Sequence, residues 1–323
     1  MNPIARSGKM KKMNFKIFTP SDNEISLSDG KNVLALGTFD GVHIAHRALL
    51  ESAVEFKRTV GAAKVGAWCF SDTPASFFKK ESSPLLTSLD ERISLLLSTG
   101  LDFVAVGDFA DFCTMRAEDF INDVLISELN CVGAVCGFNH RFGIGAAGDS
   151  KLLKDMLGSD KVLLKDEIKY DGTTVSSSVI RALISSGEIE KANCMLGRPY
   201  SVRAKVVKGK QLGRKLQFPT ANIFFPSSTI PPKSGIYATV CQIDGERYIG
   251  VSNVGIRPTI TDGTDAHAFN CETYIVDFSG DIYDRDLTVE FHKYIRDEMQ
   301  FSSLDELKAQ ISKDTETALA YFN

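Results

Sequence analysis

The sequence predicts an α/β domain with a doubly wound parallel sheet, followed by an antiparallel six-stranded β-barrel that ends in a C-terminal helix. Three observations carry this. The first half alternates short apolar runs with amphipathic helical patterns, which implies a parallel sheet with helices on both faces. The second half holds six strand candidates with no long helix between them, and such a run disposes of its exposed edges by closing into a barrel. The chain has 323 residues, which at roughly 150 residues per domain allows two cores.

Residues 1–14 read as a disordered leader, basic but without the apolar core of a secretory signal. Residues 33–36, V-L-A-L, are apolar throughout, as in a strand buried on both faces. Gly37 and Gly41 bracket the crossing to a helix that begins near His43, where Leu49, Leu50, Ala53, Val54 and Phe56 recur at helical spacing. Strands follow at 65–70, 102–106, 131–136 and 161–164. Helices fall at 88–97, opened by the capping box S-L-D-E, and at 117–129 and 151–157. The stretch 176–181, S-S-S-V-I-R, opens another helix. The first domain thus spans 15–186, and 187–198 is a short helix and linker. The second domain, 199–323, has strands at 201–207, 221–225, 236–243, 248–254, 272–278 and 287–291, with Asp244-Gly245 as a hairpin turn. A final helix follows Ser302 or Ser303, each with an acidic residue three positions on.

Composition narrows the function. Hydrophobic residues at 43% and charged residues at 24% describe an ordinary soluble protein. No apolar run approaches the ~20 residues of a membrane helix, so a cytoplasmic protein without a membrane partner is expected. A net charge of -4 argues against nucleic-acid binding. Seven cysteines, an odd number without C-x-x-C, indicate reduced thiols. The odd separation of Cys131 and Cys136 should point them to opposite faces of their strand, which excludes a bridge or a shared metal. Scattered histidines do not suggest zinc, and any metal should be Mg²⁺ held through phosphates.

Four stretches carry chemistry. In T-F-D-G-V-H-I-A-H, Thr38 to His46, the two histidines lie at i and i+3 on the first turn of a helix, where free N–H groups attract anions. They can donate to charge developing on phosphoryl oxygens. The glycine-rich loop 137–148, with Asn139, His140 and Arg141, should face the same cleft beyond the carboxyl ends of the strands. At 176–181 hydroxyls such as Ser177 can cap a helix while Arg181 offers a fork for phosphate. In the second half, loop amides from Gly209 onward with Lys210 or Lys215 can hold phosphate, and Thr220 and Asn222 offer neutral oxygens to a magnesium ion. Glu272, at the start of C-E-T-Y-I-V-D-F and so at the barrel mouth, is a candidate general base. Taken singly, these stretches also fit surface histidines, a flexible loop, a strand start and a surface glutamate.

The run G-T-F-D-G-V-H-I-A-H resembles the signature G-x-F-D-G-x-H-x-G-H of the nucleotidyltransferase superfamily. From about Val33 to the end, the chain resembles the bacterial bifunctional riboflavin kinase and FMN adenylyltransferase family, also called FAD synthetase. The motifs are G-R-x-x-x-F-P-T-A-N at 213–222, G-I-Y-A at 235–238, G-V-S-N-V-G-I-R-P-T at 250–259 and I-R-D-E-M-Q-F at 295–301. The resemblance implies a Rossmann-like nucleotidyltransferase domain before a riboflavin kinase barrel. It implies that Thr220 and Asn222 bind Mg-ATP, that Glu272 activates the riboflavin 5′-hydroxyl, and that Arg296 and Phe301 contact flavin. Thr38, Phe39, Asp40, His43, His46, Asn139, Ser177 and Arg181 would handle ATP and its phosphates in the first domain. The expected activity is phosphorylation of riboflavin to FMN and adenylylation of FMN to FAD with ATP and Mg²⁺, by a monomer or weak homo-oligomer. Two rivals are a kinase with a degenerate N-terminal domain and a non-enzymatic flavin- and nucleotide-sensing protein. Departures from the family pattern are Ala45 between the histidines, His140 at an aromatic position, Ala146 where many members carry arginine, and Gln217 and Asp284 at glycine positions.

Overall fold

The computed structural model describes residues 14–21, 25–28, 30–72, 84–208, 218–259 and 266–323. Apart from Asn14, the expected leader lies outside the described residues. The chain divides into two compact units. One comprises Met1–Val42, His46–Ser82 and Leu89–Glu167, the other His43–Ala45, Ser83–Ser88 and Ile168–Asn323.

In the first unit β1 (Phe15–Phe18), β2 (Asn32–Leu36), β3 (Lys64–Phe70), β4 (Phe103–Gly107), β5 (Cys131–Gly137) and β6 (Val162–Lys165) form a six-stranded sheet in the order β1-β4-β3-β2-β5-β6. β2 to β6 pair in parallel, and β1 runs antiparallel beside β4. β1 has no counterpart among the expected strands, because four residues carry too little alternation to be distinguished from the leader before them. Each residue of β2 is buried, as its apolar run requires. Val33 and Ala35 pack on one side with Leu49, Leu50 and Ala53 of α1 (Ile44–Thr59) and with Ile93 and Leu96 of α2 (Leu89–Leu97). Leu34 and Leu36 pack on the other with Trp68, Phe120, Val124 and Leu153. Two short helices follow β4, α3 (Phe109–Phe112) and α4 (Ala117–Asp119), and α5 (Ser150–Leu157) precedes β6.

Two local expectations are corrected. The single helix over 117–129 is α4 followed by a π-helical stretch, Phe120–Glu128, closed by the Leu129 N–H on the Val124 carbonyl at 3.0 Å. Cys131 and Cys136 do not point to opposite faces. A register shift beside β2 matches Asn32 with Cys131 but Val33 with Gly133, and this extra residue inverts the alternation, so both side chains enter one core. All seven cysteines are free thiols.

The second unit begins with a small hairpin, β7 (Lys169–Tyr170) and β8 (Thr173–Thr174), turned by Asp171 and Gly172 at φ +48° and +73°. Then come α6 (Ser177–Ser186) and α7 (Ile189–Leu196). The region 187–198 is more than a linker. Ile189, Ala192, Met195 and Leu196 are buried with Tyr200 and Phe291 in the core of the sheet that follows.

That sheet comprises β9 (Tyr200–Lys205), β10 (Thr220–Phe224), β11 (Gly235–Ile243), β12 (Glu246–Thr259), β13 (Ala266–Ile275) and β14 (Asp286–Arg296). It is antiparallel throughout, in the order β10-β13-β12-β11-β14-β9. It curls until Val207, just past β9, donates its N–H to the Asn222 carbonyl at 2.8 Å, so the two edges of the half-barrel meet at one bridge. α8 (Leu304–Phe322) takes Ser303 as its cap. The Ser303 hydroxyl accepts from the Glu306 N–H at 3.2 Å, and the Glu306 carboxylate accepts from the Ser302 N–H at 2.9 Å. α8 lays Ala318 and Phe322 over Ile236, Ala238 and Val251.

Candidate active sites

β10, β13 and β12 lie side by side, and their register sets Asn222, Glu272 and Asn253 in one row across the sheet. Alternation explains the placement of this row. Cys271 and Ile275 point into the core, so Glu272 projects from the opposite face, the one that also carries Val251 beneath α8. Glu272 was expected at the start of its strand and at a barrel mouth. It is instead the seventh residue of β13, flanked by strands on both sides, because the strand extends back to Ala266.

The Thr220 hydroxyl donates to Oε1 of Glu272 at 3.0 Å. A hydroxyl has one proton and two lone pairs, so this bond leaves the oxygen of Thr220 free to accept or to ligate. The side-chain oxygens of Asn222 and Asn253 are buried with no hydrogen-bond partner among the described residues. Unsatisfied buried acceptors around a carboxylate are costly alone and suit a cation or a donor-rich ligand. Neutral oxygens of this kind fit Mg²⁺, a hard cation that keeps several waters and phosphate oxygens in its shell. Among the described residues no group of three or more His, Cys, Asp or Glu could hold a metal ion. Gly209 and Lys215 lie outside the described residues.

Arg296 closes β14, but its guanidinium is already engaged. Nε donates to Oδ1 of Asp314 at 3.0 Å, Nη2 donates to Oδ2 at 2.6 Å, and Nη1 donates to the Asp297 carbonyl at 2.9 Å. Asp314 is 3% exposed and also accepts from Gln310 at 2.8 Å. Arg296 therefore pins α8 to the sheet. Phe301 lies between β14 and α8, half-buried. A cavity of about 660 Å³ in this unit is lined by Ile230, Pro231, Pro232 and Phe269 together with Asp297 and Glu298, directly after Arg296.

In the first unit the strand order reverses at β2, which has β3 on one side and β5 on the other. Leu36 is level with Cys136, so the loops after β2 and β5 leave the sheet as neighbours at its carboxyl end, the usual ligand crevice of such sheets. Thr38, Phe39 and Asp40 are on the first loop and Asn139, exposed, on the second. The first loop is strained: Phe39 and Val42 hold φ of +52° and +39°, and the Val42 N–H closes a turn on the Phe39 carbonyl at 3.0 Å. A positive φ at a β-branched residue is rare and costs of order 1–3 kcal/mol, and such strain gathers at ligand sites. The Phe39 ring is fully buried, within 3.0 Å of where a Cβ on Gly37 would stand, and meets the His46 ring edge-on at 5.2 Å. Phe39 thus braces His46, and its ring is not available to a nucleotide. Asp40 is 1% exposed.

His43, Ser177 and Arg181 belong to the second unit. Burial, with Arg198 adding to it, pushes the His43 imidazole down to about 4, so it is neutral at pH 7 and can still donate through N–H. The cap of α6 is Ser176, whose hydroxyl accepts from the Val179 N–H at 3.4 Å, and Ser177 is the first helical residue. Nη2 of Arg181 donates to the Ser178 hydroxyl at 3.2 Å.

Two departures from the family pattern acquire a physical account. The His140 ring stacks on Phe142 at 5.7 Å and 24°, and burial pushes it down to about 4, so it occupies the place of an aromatic as a neutral ring. Asp284 keeps the left-handed backbone of a glycine, φ +63°. Sequence reasoning missed Asn253, whose one signal is a polar residue on the outward phase of a strand. It also missed Arg92, fully buried on α2, which spacing alone presents as a solvated helix position.

A family model described as riboflavin kinase matches residues 196–322, and one described as FAD synthetase matches residues 26–179. A bifunctional riboflavin kinase/FMN adenylyltransferase of Bacillus subtilis (strain 168) is 32% identical over 303 residues, covering 93% of this chain and 95% of that protein. One of Escherichia coli (strain K12) is 35% identical over 296 residues, covering 90% and 92%. A solved structure described as a macrolide-efflux protein from Streptococcus pneumoniae superposes with a TM-score of 0.81 at 27% identity, covering 89% of this chain and 93% of that one. No described helix is long and apolar enough to cross a membrane.

Proposed function

The chain belongs to the bifunctional riboflavin kinase/FMN adenylyltransferase family, and from that premise we propose how its residues divide the two reactions. The enzyme phosphorylates riboflavin to FMN and adenylylates FMN to FAD, with ATP as co-substrate. Kinase chemistry belongs to residues 199–323 and adenylyl transfer to residues 15–186. The observation that carries the reading is the Glu272 carboxylate, held by Thr220 and flanked by two buried, unpartnered amide oxygens.

In the kinase step Glu272 takes the proton of the riboflavin 5′-hydroxyl as that oxygen attacks the γ-phosphorus of ATP and ADP leaves. Thr220 holds the carboxylate through Oε1. Thr220 and Asn222 would hold Mg²⁺, which would offset the charge of the phosphates. The segment anchored by Arg296, with Phe301, receives the flavin.

Adenylyl transfer needs no protein base, because the FMN phosphate is already an anion. Its oxygen attacks the α-phosphorus of ATP, and pyrophosphate leaves. His46 at the start of α1 donates to the phosphoryl oxygens, and Asn139 holds the phosphates. The seven free thiols fit a reducing cytoplasm, and the protein works there as a monomer or weak homo-oligomer.

Chromatography of products from riboflavin, ATP and Mg²⁺ tests the assignment. Both FMN and FAD should form. FMN alone would reduce the first domain to a scaffold, and unchanged riboflavin would leave only a sensing role.

A further inference from the structure

Arg92 lies on α2 with its side chain wholly buried. Nη1 donates to the Thr38 carbonyl at 3.1 Å and Nη2 to the Ser71 carbonyl at 2.7 Å, while Nε has no partner. Thr38 lies two residues past β2 and Ser71 directly follows β3, neighbouring parallel strands, so one guanidinium ties their carboxyl ends together. No carboxylate among the described residues pairs with it. Cys69 is close enough to feel the charge, but burial pushes its thiol up to about 11, so it stays protonated and neutralises nothing. A cation removed from water without a counter-ion is expensive, and two neutral carbonyls compensate it only in part. An anion at the mouth of these strands would complete the balance.

We propose that Arg92 is a positioning residue for adenylyl transfer: it fixes the Thr38 carbonyl and the strained turn behind it, and its unneutralised charge favours a polyphosphate at the carboxyl ends of β2 and β3. This rests on the assignment of adenylyl transfer to this unit. The guanidinium is buried behind the loop, so it acts through Thr38 and through the field and makes no contact with the nucleotide. A neutral flavin ring gains nothing from that field, so the preference is for ATP and for pyrophosphate, the leaving group that becomes the substrate of the reverse reaction.

The test uses the full chain with Arg92→Gln, which removes the charge and keeps a donor, and Arg92→Lys, which keeps the charge and loses the fork. Forward kinetics vary ATP and FMN separately, and the reverse reaction varies pyrophosphate with FAD. Trp68, the single tryptophan, is 3% exposed on β3, and its fluorescence reports folding of the same unit. Arg92→Gln should raise KM for ATP and pyrophosphate about 10-fold or more while leaving KM for FMN and riboflavin phosphorylation within two-fold, the scale of a single site-to-site coupling. Arg92→Lys should raise the two polyphosphate KM values less and lower kcat instead. Equal changes for ATP and FMN, or no change, would overturn the proposal, as would loss of native Trp68 emission in both variants, which would assign Arg92 to folding. A parent chain that makes no FAD from FMN overturns the assignment of adenylyl transfer itself, and the inference with it.

Discussion

Thr220 and Glu272 sit diagonally across the β10–β13 ladder, and the hydroxyl of the first donates to Oε1 of the second at 3.0 Å. The bond holds the carboxylate through Oε1 and leaves the lone pairs of the Thr220 oxygen open to a donor or a cation. Thr220→Val keeps the shape and removes the hydroxyl. Riboflavin phosphorylation should lose roughly 10²-fold in kcat, the scale of one preorganised polar contact, and the Mg²⁺ concentration at half-maximal rate should rise. Thr220→Ser should restore most of both. A valine variant with the parent's metal dependence would remove Thr220 from the cation site.

Arg296 and Asp314 make a second prediction, about stability. The two side chains are 19% and 4% exposed. Removing one partner of a buried pair strands the other charge, and Asp314→Ala should cost about 3–5 kcal/mol. Urea denaturation measures it directly. A loss below about 1 kcal/mol, the range of surface pairs, would mean that water solvates Arg296 in the variant.

His46 is held edge-on by Phe39 at the start of α1. His46→Ala should cut FMN adenylylation by roughly 10²-fold, the effect of losing one aimed donor, with riboflavin phosphorylation nearly unchanged. Equal losses in both reactions would point to a folding defect.

His43 links the fold to pH. Its folded value is about 4, against 6.5 for a free imidazole. The unfolded chain therefore binds the proton first, and the contribution of neutral His43 is complete above pH 6.5 and is lost as the pH falls from 6.5 toward 4. The slope in that window is at most about 1.4 kcal/mol per pH unit for one group. His140, also near 4, adds in the same window. Urea titrations at pH 7.5, 6 and 5 should show this decline, and His43→Gln should flatten it. An unchanged slope in the variant would mean that His43 is protonated in the fold.

The parts that were legible in the sequence are those where one period dominates. The fully buried run of β2 and the alternating strands of the half-barrel announce themselves, and the spacing of the two histidines follows from the helix start. Tertiary accidents were not legible. The bulge that brings Cys131 and Cys136 into one core depends on how β5 is matched to β2. The extension of β13 back to Ala266, which moves Glu272 from a strand end to its interior, depends on pairing with β10 and β12. Arg92 and Asp314 look like surface charges on helices until packing encloses them. Phe39 sits in a motif, which suggested ligand contact, yet its ring serves the fold.

If the two reactions occur at separate sites on one chain, Glu272 serves only the first. Glu272→Gln keeps the size of the side chain and its bond to Thr220 while removing basicity. The decisive measurement supplies riboflavin and FMN in separate assays to this variant, with ATP and Mg²⁺, and follows FMN and FAD. Riboflavin phosphorylation should fall by roughly 10²–10⁴, the usual reach of general-base catalysis, while FMN is still converted to FAD at the parent's rate. Phosphorylation within a few-fold of the parent would show that Glu272 is not the base, and loss of both conversions together would show that it does not serve the kinase step alone.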